Sequence, residues 1–267
     1  MTSTTPAPGS VALVTGGTGG FGRALATKLR ALDVTVVLAD LDSERARATA
    51  ADLGAEFEVL DVTDRAANVA LVERIEARHG RLDAAYLNAG ISAAKSDDDL
   101  DLDEFMRVVD VDLFGVVYGA VAARPAIRRA GGGAIVVTAS LAGLSPMATD
   151  PGYSVAKGGA IAFVRSMAPR LAREGTTITA ICPGFADTAI IDPIREEFDK
   201  AGFPVLTADE VADAMMAAWT SGEPGAAYIV QPGVSAVPYR FKGVPSARTA
   251  TGETAVVPEA LRPPSMR

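Results

Sequence analysis

Cysteine, histidine and tryptophan each occur once in this chain, as Cys182, His79 and Trp219. A lone cysteine excludes an internal disulfide and a cysteine cage for a metal. One histidine beside it leaves too few soft ligands for a zinc site, so no metal is expected. Cations are also short: 25 Lys and Arg stand against 33 Asp and Glu, for a net charge of -8. An acidic surface gains no general attraction to nucleic acid or to anionic membranes, and neither is expected as a partner. No apolar run approaches the roughly 18 residues that a membrane-spanning helix needs. Residues 1–10 lack the basic and apolar regions of a secretory signal. Together with the single cysteine, this leads us to expect a reducing, cytoplasmic setting.

The 267 residues are 49% hydrophobic and 22% charged. That composition is ordinary for a globular protein, and the length suffices for one large α/β domain or two small ones. Short apolar runs at residues 11–15, 35–39, 56–60, 84–87, 134–138, 177–182 and 227–230 read as strands. Several are continuously apolar, as in strands covered on both faces. Segments of helical period separate them, at residues 21–32, 43–53, 64–79, 103–129, 152–174 and 208–220, with Ser43 and Asp64 suited to N-caps. The alternation predicts a single doubly wound α/β domain, with a parallel sheet of about seven strands and helices on both faces. The expected domain spans residues 10–236, after a loose arm at 1–9. Beyond it, residues 237–267 hold five prolines (Pro238, Pro245, Pro258, Pro263, Pro264) and little periodicity, and read as an extended tail. That tail is expected to lie on a neighbouring subunit or over a pocket.

The first predicted strand runs into Thr15-Gly16-Gly17-Thr18-Gly19-Gly20-Phe21-Gly22 and then into a helix. Small residues let the backbone turn sharply and approach a pyrophosphate, and the helix N-terminus offers free N–H groups. This is the Rossmann arrangement for a dinucleotide. Asp40 ends the second strand, eighteen residues beyond Gly22. A carboxylate there accepts hydrogen bonds from ribose hydroxyls and repels a 2′-phosphate. No Arg or Lys follows it directly, so NAD is expected rather than NADP.

Tyr153 and Lys157 are spaced i, i+4, on one face of a predicted helix. A phenol can exchange a proton with a secondary alcohol or its ketone if its pKa falls from near 10 toward neutral, which takes about 4 kcal/mol of preferential phenolate stabilisation. A nearby ammonium supplies charge of the right sign. Ser140, at a predicted strand end, offers a hydroxyl to orient the substrate oxygen. His79 reads as a residue at a helix C-terminus, Cys182 as a packed small residue and Trp219 as core. The acidic run Asp97-Asp98-Asp99-Leu100-Asp101 reads as a solvated loop and helix start.

In order along the chain, the glycine turn with TGxxxGxG spacing, Asn88-Ala89-Gly90 after a strand, Ser140 thirteen residues before Tyr153, Tyr153-Ser154-Val155-Ala156-Lys157, and Pro183-Gly184 with Thr188 resemble the short-chain dehydrogenase/reductase family. Two segments, Ala139-Ser140-Leu141-Ala142-Gly143 and Ala180-Ile181-Cys182-Pro183-Gly184-Phe185, look most like its NAD-dependent 15-hydroxyprostaglandin dehydrogenase branch. The resemblance implies oxidation of a hydrophobic secondary alcohol, or the reverse, with Ser140, Tyr153 and Lys157 catalytic. Tyr153 would act as acid or base. Lys157 would lower its pKa and hold the nicotinamide ribose. Gly16, Gly20 and Gly22 would shape the pyrophosphate turn with Thr18 and Phe21. Asp40 and Leu41 would meet the adenosine ribose, and Asp61 and Val62 the adenine. Asn88, Ala89 and Gly90 would support the cofactor edge, with Pro183, Gly184, Ala186 and Thr188 near the nicotinamide.

One position departs from the family. Its usual Asn in a VNxxG pattern is Asp112 here, within Val111-Asp112-Leu113-Phe114-Gly115. The resemblance implies that this position supports a water and proton path to the lysine through its main-chain carbonyl, a role that Asp can keep, and its carboxylate is expected to pair with Lys157 through water, shifting the pH dependence of catalysis. An apolar substrate pocket is expected from Leu144, Pro146 and Met147 on one wall and Phe185, Ile190, Ile191, Pro193, Ile194, Phe198 and Phe203 on a lid. The resemblance also implies a homo-oligomer, tetramer or dimer, joined through helices 103–129 and 152–174. Two alternatives stay open: a catalytically inactive NAD-binding regulatory or structural protein, and an epimerase or dehydratase.

Overall fold

The structure, a computed structural model, describes residues 6–93, 100–188, 190–192, 195–256 and 258. The start of the N-terminal arm, Asp97 to Asp99, the lid residues Pro193 and Ile194 and the end of the tail lie outside the described residues. The chain runs β1 (Val11–Thr15), α1 (Gly20–Arg30), β2 (Thr35–Asp40), α2 (Glu44–Asp52), β3 (Glu56–Val59), α3 (Arg65–His79), β4 (Ala84–Leu87) and α4 (Leu102–Val109). A π-helical turn (Asp110–Phe114) leads into α5 (Gly115–Arg129) and β5 (Gly133–Thr138). Then follow α6 (Pro151–Ala172), β6 (Thr176–Pro183), α7 (Arg195–Ala201), α8 (Ala208–Ser221), β7 (Ala227–Gln231) and β8 (Val234–Pro238).

The sheet order is β3-β2-β1-β4-β5-β6-β7-β8, doubly wound from β1 as expected. The pairs from β3 through β7 are parallel. An eighth strand, β8, adds an antiparallel edge on β7. It begins one residue after Gly233, whose positive φ of 70° closes the tight turn, and it runs to Pro238, past the expected domain end at 236.

Period-two alternation distributes each central strand between two cores. In β1, Val11 and Leu13 face the layer of α3, α5 and α6, with Leu71, Ile75, Val116 and Val164. Ala12 and Val14 face the layer of α1 and α8, with Leu25, Leu29, Val211 and Met215. Each fully buried Leu contributes roughly 1.5–3 kcal/mol. Leu25 and Leu29 therefore anchor α1, and its N-terminus stays at the carboxyl edge of the sheet. Trp219 belongs to this second core and meets Tyr86 edge-on at 6.2 Å. Ser43 and Asp64 cap α2 and α3 through Ala46 and Ala67 N–H. His79 ends α3 beside Glu56 and before Gly80, whose φ of 74° forms the C-cap.

The single helix expected at 103–129 is interrupted. Gly115 N–H bonds to Asp110 C=O, so one extra residue enters the ladder and α4 meets α5 through a π-turn holding Asp112. The tail begins on its own body: Tyr239 N–H bonds to Ala227 C=O at 2.7 Å, and the Phe241 ring lies 3.7 Å from the Arg165 guanidinium on α6. Among the described residues, no helix is long and apolar enough to cross a membrane.

Candidate active site

The strand order reverses between β1 and β4, which opens a crevice at the carboxyl ends of the strands. The glycine turn enters it. Gly16 has φ +59°, and a Cβ there would stand 2.7 Å from Ala89 Cα, so only glycine fits this approach. Thr15 Oγ1 accepts from Asn88 N–H at 3.0 Å and from Ala89 N–H at 3.2 Å. The Asn88 amide donates to Gly16 C=O at 3.1 Å and accepts from the Thr138 hydroxyl at 3.0 Å. One asparagine thus ties the turn to β5. No acidic side chain occupies the first turn of α1, so its positive end faces the crevice uncompensated.

A groove of about 700 Å³ follows this edge. Of the residues predicted to hold the cofactor, Gly16, Gly20, Phe21, Asp40, Leu41, Asp61, Val62, Asn88, Ala89, Gly90 and Thr188 line it, together with Ile190 from the expected lid. Gly22 is instead buried beneath the turn against Gly17, and Ala186 is buried where the chain bridges to Leu206. Thr18, Pro183 and Gly184 also lie off the groove lining, as do Tyr153 and Lys157. Thr18 acts through Asp40: its N–H and hydroxyl donate to Asp40 Oδ2 at 3.0 and 2.6 Å, while Leu41 N–H donates to Oδ1 at 2.9 Å.

The second cluster is buried behind the groove. Asp150 caps α6, its Oδ1 accepting from Tyr153 N–H at 2.9 Å, and Pro151 opens the helix with its φ already set. Asp150 Oδ2 takes Ser92 Oγ at 2.8 Å and Ala93 N–H at 2.9 Å, fastening the chain after β4 to the tyrosine helix. One turn on from Tyr153, Lys157 Nζ donates to Thr138 C=O at 2.9 Å. It meets Asp112 Oδ2 at the same distance, with the two side chains 2% and 0% exposed. Asp112 Oδ1 accepts from Ile91 N–H at 2.8 Å. The water expected between Asp112 and Lys157 is therefore replaced by direct contact, because the π-turn brings the carboxylate within reach. Ser140, two residues past β5, accepts from Ala142 N–H at 3.1 Å and acts to lower the pKa of the Tyr153 phenol.

Burial is the largest influence on all three titrating groups. It pushes the Asp112 carboxyl up, against the opposing charge of Lys157. It works against the Lys157 ammonium, but Asp112 and Tyr153 outweigh it and hold the lysine above its ordinary range. It raises the Tyr153 phenol, and Asp112 adds to the rise while Lys157 and Ser140 oppose it. The lowered phenol pKa expected from the sequence is thus reversed in the protein alone. Desolvation, with the negative charge of Asp112 added to it, outweighs the lysine. Cys182, buried in β6, has its thiol pushed up to about 12, mainly by burial, which makes it a poor nucleophile.

The expected substrate residues do not form one wall. Ile190 reaches the groove, whereas Ile191 is buried. Leu144 packs against the core beside α6, and Met147 is held by Ser154 through its backbone. Phe185 is 40% exposed and clusters with Phe198 and Phe203 at 4.6 and 6.1 Å. Arg195 pins this lid segment to Asp187 and Asp192. Asp150, Thr138 and Ser92, and also the groove residues Ile91, Met106 and Arg107, join the site beyond those expected from the sequence. Of these, only Asp150 carried a signal, an Asp-Pro pair three residues before Tyr153.

The sequence profile of the family described as short chain dehydrogenase matches residues 10–199. The chain belongs to the short-chain dehydrogenase family. Its relatives include the levodione reductase of Leifsonia aquatica, 34% identical over 197 residues, 71% of this chain and 74% of that protein. A crystal structure of levodione reductase superposes with a TM-score of 0.74 at 30% identity, covering 84% of this chain and 96% of that one. The cis-4-hydroxycyclohexanecarboxylate dehydrogenase of Sinomonas cyclohexanicum is 36% identical over 186 residues, 68% of this chain and 75% of that protein. The probable oxidoreductase EphD of Mycobacterium tuberculosis is 31% identical over 93% of this chain but 43% of its own length, so this short-chain dehydrogenase spans less than half of that relative. This short-chain dehydrogenase is accordingly an oxidoreductase acting on CH–OH groups.

Proposed function

We propose that this short-chain dehydrogenase interconverts a small hydrophobic secondary alcohol and its ketone, using NAD in preference to NADP. The observation that carries the reading is the convergence of Tyr153, Lys157 and Ser140 at the carboxyl edge of the sheet, behind the dinucleotide-sized groove. The groove residues fit such a cofactor. The missing Cβ of Gly16 leaves room for a close backbone approach, the α1 N-terminus is free of carboxylates, and Asp40 stands at the far end. Gly16, Gly20 and Phe21 would hold the pyrophosphate, Asp40 and Leu41 the adenosine ribose, Asp61 and Val62 the adenine, and Thr188 the nicotinamide end. The bound nicotinamide would supply or accept hydride.

The chain's own groups handle the proton. Ser140 orients the substrate oxygen, and Tyr153 takes its proton during oxidation or returns it during reduction. Lys157 stabilises the phenolate and reaches the nicotinamide ribose. Names of relatives that act on levodione and on a hydroxycyclohexanecarboxylate support a cyclic substrate. The reading includes a cytoplasmic homo-oligomer, dimer or tetramer, joined along α5 and α6. Exposed Phe114 in the π-turn, Val121 on α5 and Val155 on α6 support that association. One observation favours a second reading, a dinucleotide-bound regulatory protein: the Asp112 carboxylate offsets the lysine that the chemistry requires.

The test is turnover with a panel of cyclic secondary alcohols and ketones, followed by the near-ultraviolet absorbance of reduced nicotinamide, with NAD and NADP in parallel. Turnover with NAD at higher kcat/KM than with NADP is expected. Tight NAD binding without turnover across the panel would favour the regulatory reading.

A further inference from the structure

The family position that usually carries an amide carries a carboxylate here, and its surroundings make that difference consequential. Asp112 is 0% exposed, and its two oxygens have different partners. Oδ1 accepts the Ile91 N–H at 2.8 Å, a bond that an amide oxygen could also make. Oδ2 lies 2.9 Å from Lys157 Nζ, a contact that only a carboxylate turns into an ion pair. Gly90 seals the pair: a Cβ there would fall 2.9 Å from Asp112 Oδ2 and 3.1 Å from Lys157 Nζ. No side chain can be added at residue 90 without disturbing both partners, and water has little room to screen them.

The charged and titratable groups around this pair come from every element packed against it. Lys157 and Tyr153 come from α6, Asp112 from the π-turn, Asp150 from the cap of α6, and Cys182 from β6. The Thr138 carbonyl of β5 completes the lysine's coordination. Among them Lys157 is the single cation, and Tyr153 depends on it for phenolate stability. Its Nζ lies 5.3 Å from the Tyr153 ring centroid but only 2.9 Å from the Asp112 carboxylate. A carboxylate in contact with the ammonium cancels much of the positive potential it exerts at its surroundings.

We infer that Asp112 is a positioning residue for charge: by direct ion pairing with Lys157 it offsets part of the ammonium's stabilisation of a Tyr153 phenolate, and so favours proton delivery to a ketone over proton removal from an alcohol. The inference rests on the proposed hydride chemistry for its consequence, but not for its electrostatics. In the favoured direction the carbonyl carbon gains the hydride that a reduced nicotinamide would supply, leaving that nicotinamide oxidised, the C=O π bond opens, and the oxygen takes the Tyr153 proton. Water then reprotonates the phenolate. In the opposite direction the phenolate must form first, so alcohol oxidation rises with pH while ketone reduction is already full at neutral pH.

The test compares wild type with Asp112→Asn, which keeps the acceptor for Ile91 N–H and removes the charge. The Tyr153 phenol is titrated in the cofactor-free, full-length protein by carbon NMR of labelled tyrosine, with Tyr153→Phe assigning the signal. In wild type the phenol is expected to titrate above the ordinary tyrosine value of about 10. In Asp112→Asn it is expected about one unit or more lower. The alkaline limb of oxidation should move down by the same amount, raising kcat/KM for alcohol oxidation at neutral pH about tenfold. An unmoved phenol in a folded variant overturns the inference. If that variant does not fold, Asp112→Ser, which also removes the charge, takes its place: a phenol that titrates lower than in wild type supports the inference, and one that titrates as in wild type overturns it. Should the phenol shift while no alcohol or ketone is turned over, the electrostatic inference stands and the proposed reaction falls.

Discussion

The glycine-turn edge and the tyrosine pocket sit side by side at the carboxyl end of the sheet, yet they are held in different ways. The turn is fixed by a lattice of ordinary hydrogen bonds through Thr15, Asn88 and Thr18. Its one charged member, Asp40, is only half-buried and has three donors of its own chain around it. The tyrosine pocket is fixed by buried charge, with Lys157, Asp112 and Asp150 each almost fully withdrawn from water. Losing a half-exposed hydrogen bond costs little, because water substitutes for the lost partner. Removing one member of a buried ion pair strands the other. On the proposed function the first region is therefore tolerant and would grip a ligand, whereas the second is costly to alter and would control protonation.

Breaking the buried pair should give the largest effect. Lys157→Met leaves the Asp112 carboxylate without its cation and should lower the unfolding free energy by about 3–5 kcal/mol. Adding Asp112→Asn to the same chain should restore a large part of that loss while leaving turnover abolished. Denaturant unfolding of both variants checks this, and no recovery in the double variant would mean that the two side chains are not energetically coupled.

The edge region should respond in affinity rather than stability. Asp40→Ala should weaken NAD binding by about ten- to a hundredfold, the worth of charge-assisted hydrogen bonds, and should affect NADP far less. Equilibrium binding of both cofactors measures it, and an unchanged NAD/NADP ratio would remove Asp40 from cofactor selection. Thr18→Val is the mildest change. It deletes the 2.6 Å hydroxyl bond that aims Asp40 but keeps the backbone donor, so NAD affinity should drop by about fivefold. A loss as large as that of Asp40→Ala would mean that Thr18 contacts the ligand itself.

The same contrast governs what could be read from the sequence. The glycine turn, Asp40 and the strand pattern are local signals, and the structure assembles them in the expected order along one groove. The i, i+4 spacing likewise brought Lys157 onto the helix face of Tyr153. What escaped was the pairing of residues far apart in the chain. Asp150 reaches back 58 residues to Ser92, and Lys157 meets Thr138 across 19. The direct contact between Asp112 and Lys157 depends on a π-turn, which one inserted residue creates and no hydrophobic period reports. The direction of the Tyr153 shift was misjudged for the same reason. Spacing reveals that a lysine is near, but not that an aspartate is nearer to it. The β8 edge strand is not legible as a strand because its side chains are exposed on both faces, so it carries no apolar pattern and its sequence resembles the end of a domain and the start of a proline-rich tail.

The central claim is that Tyr153 moves the substrate proton while the glycine-turn edge only holds the cofactor. Its most direct test is the turnover assay with cyclic alcohols and ketones, run on wild type and Tyr153→Phe together with NAD binding to each. NAD binding of similar strength is expected in both proteins, with a kcat lower by about a hundred- to ten-thousandfold in Tyr153→Phe. Equal turnover in the two proteins would contradict it.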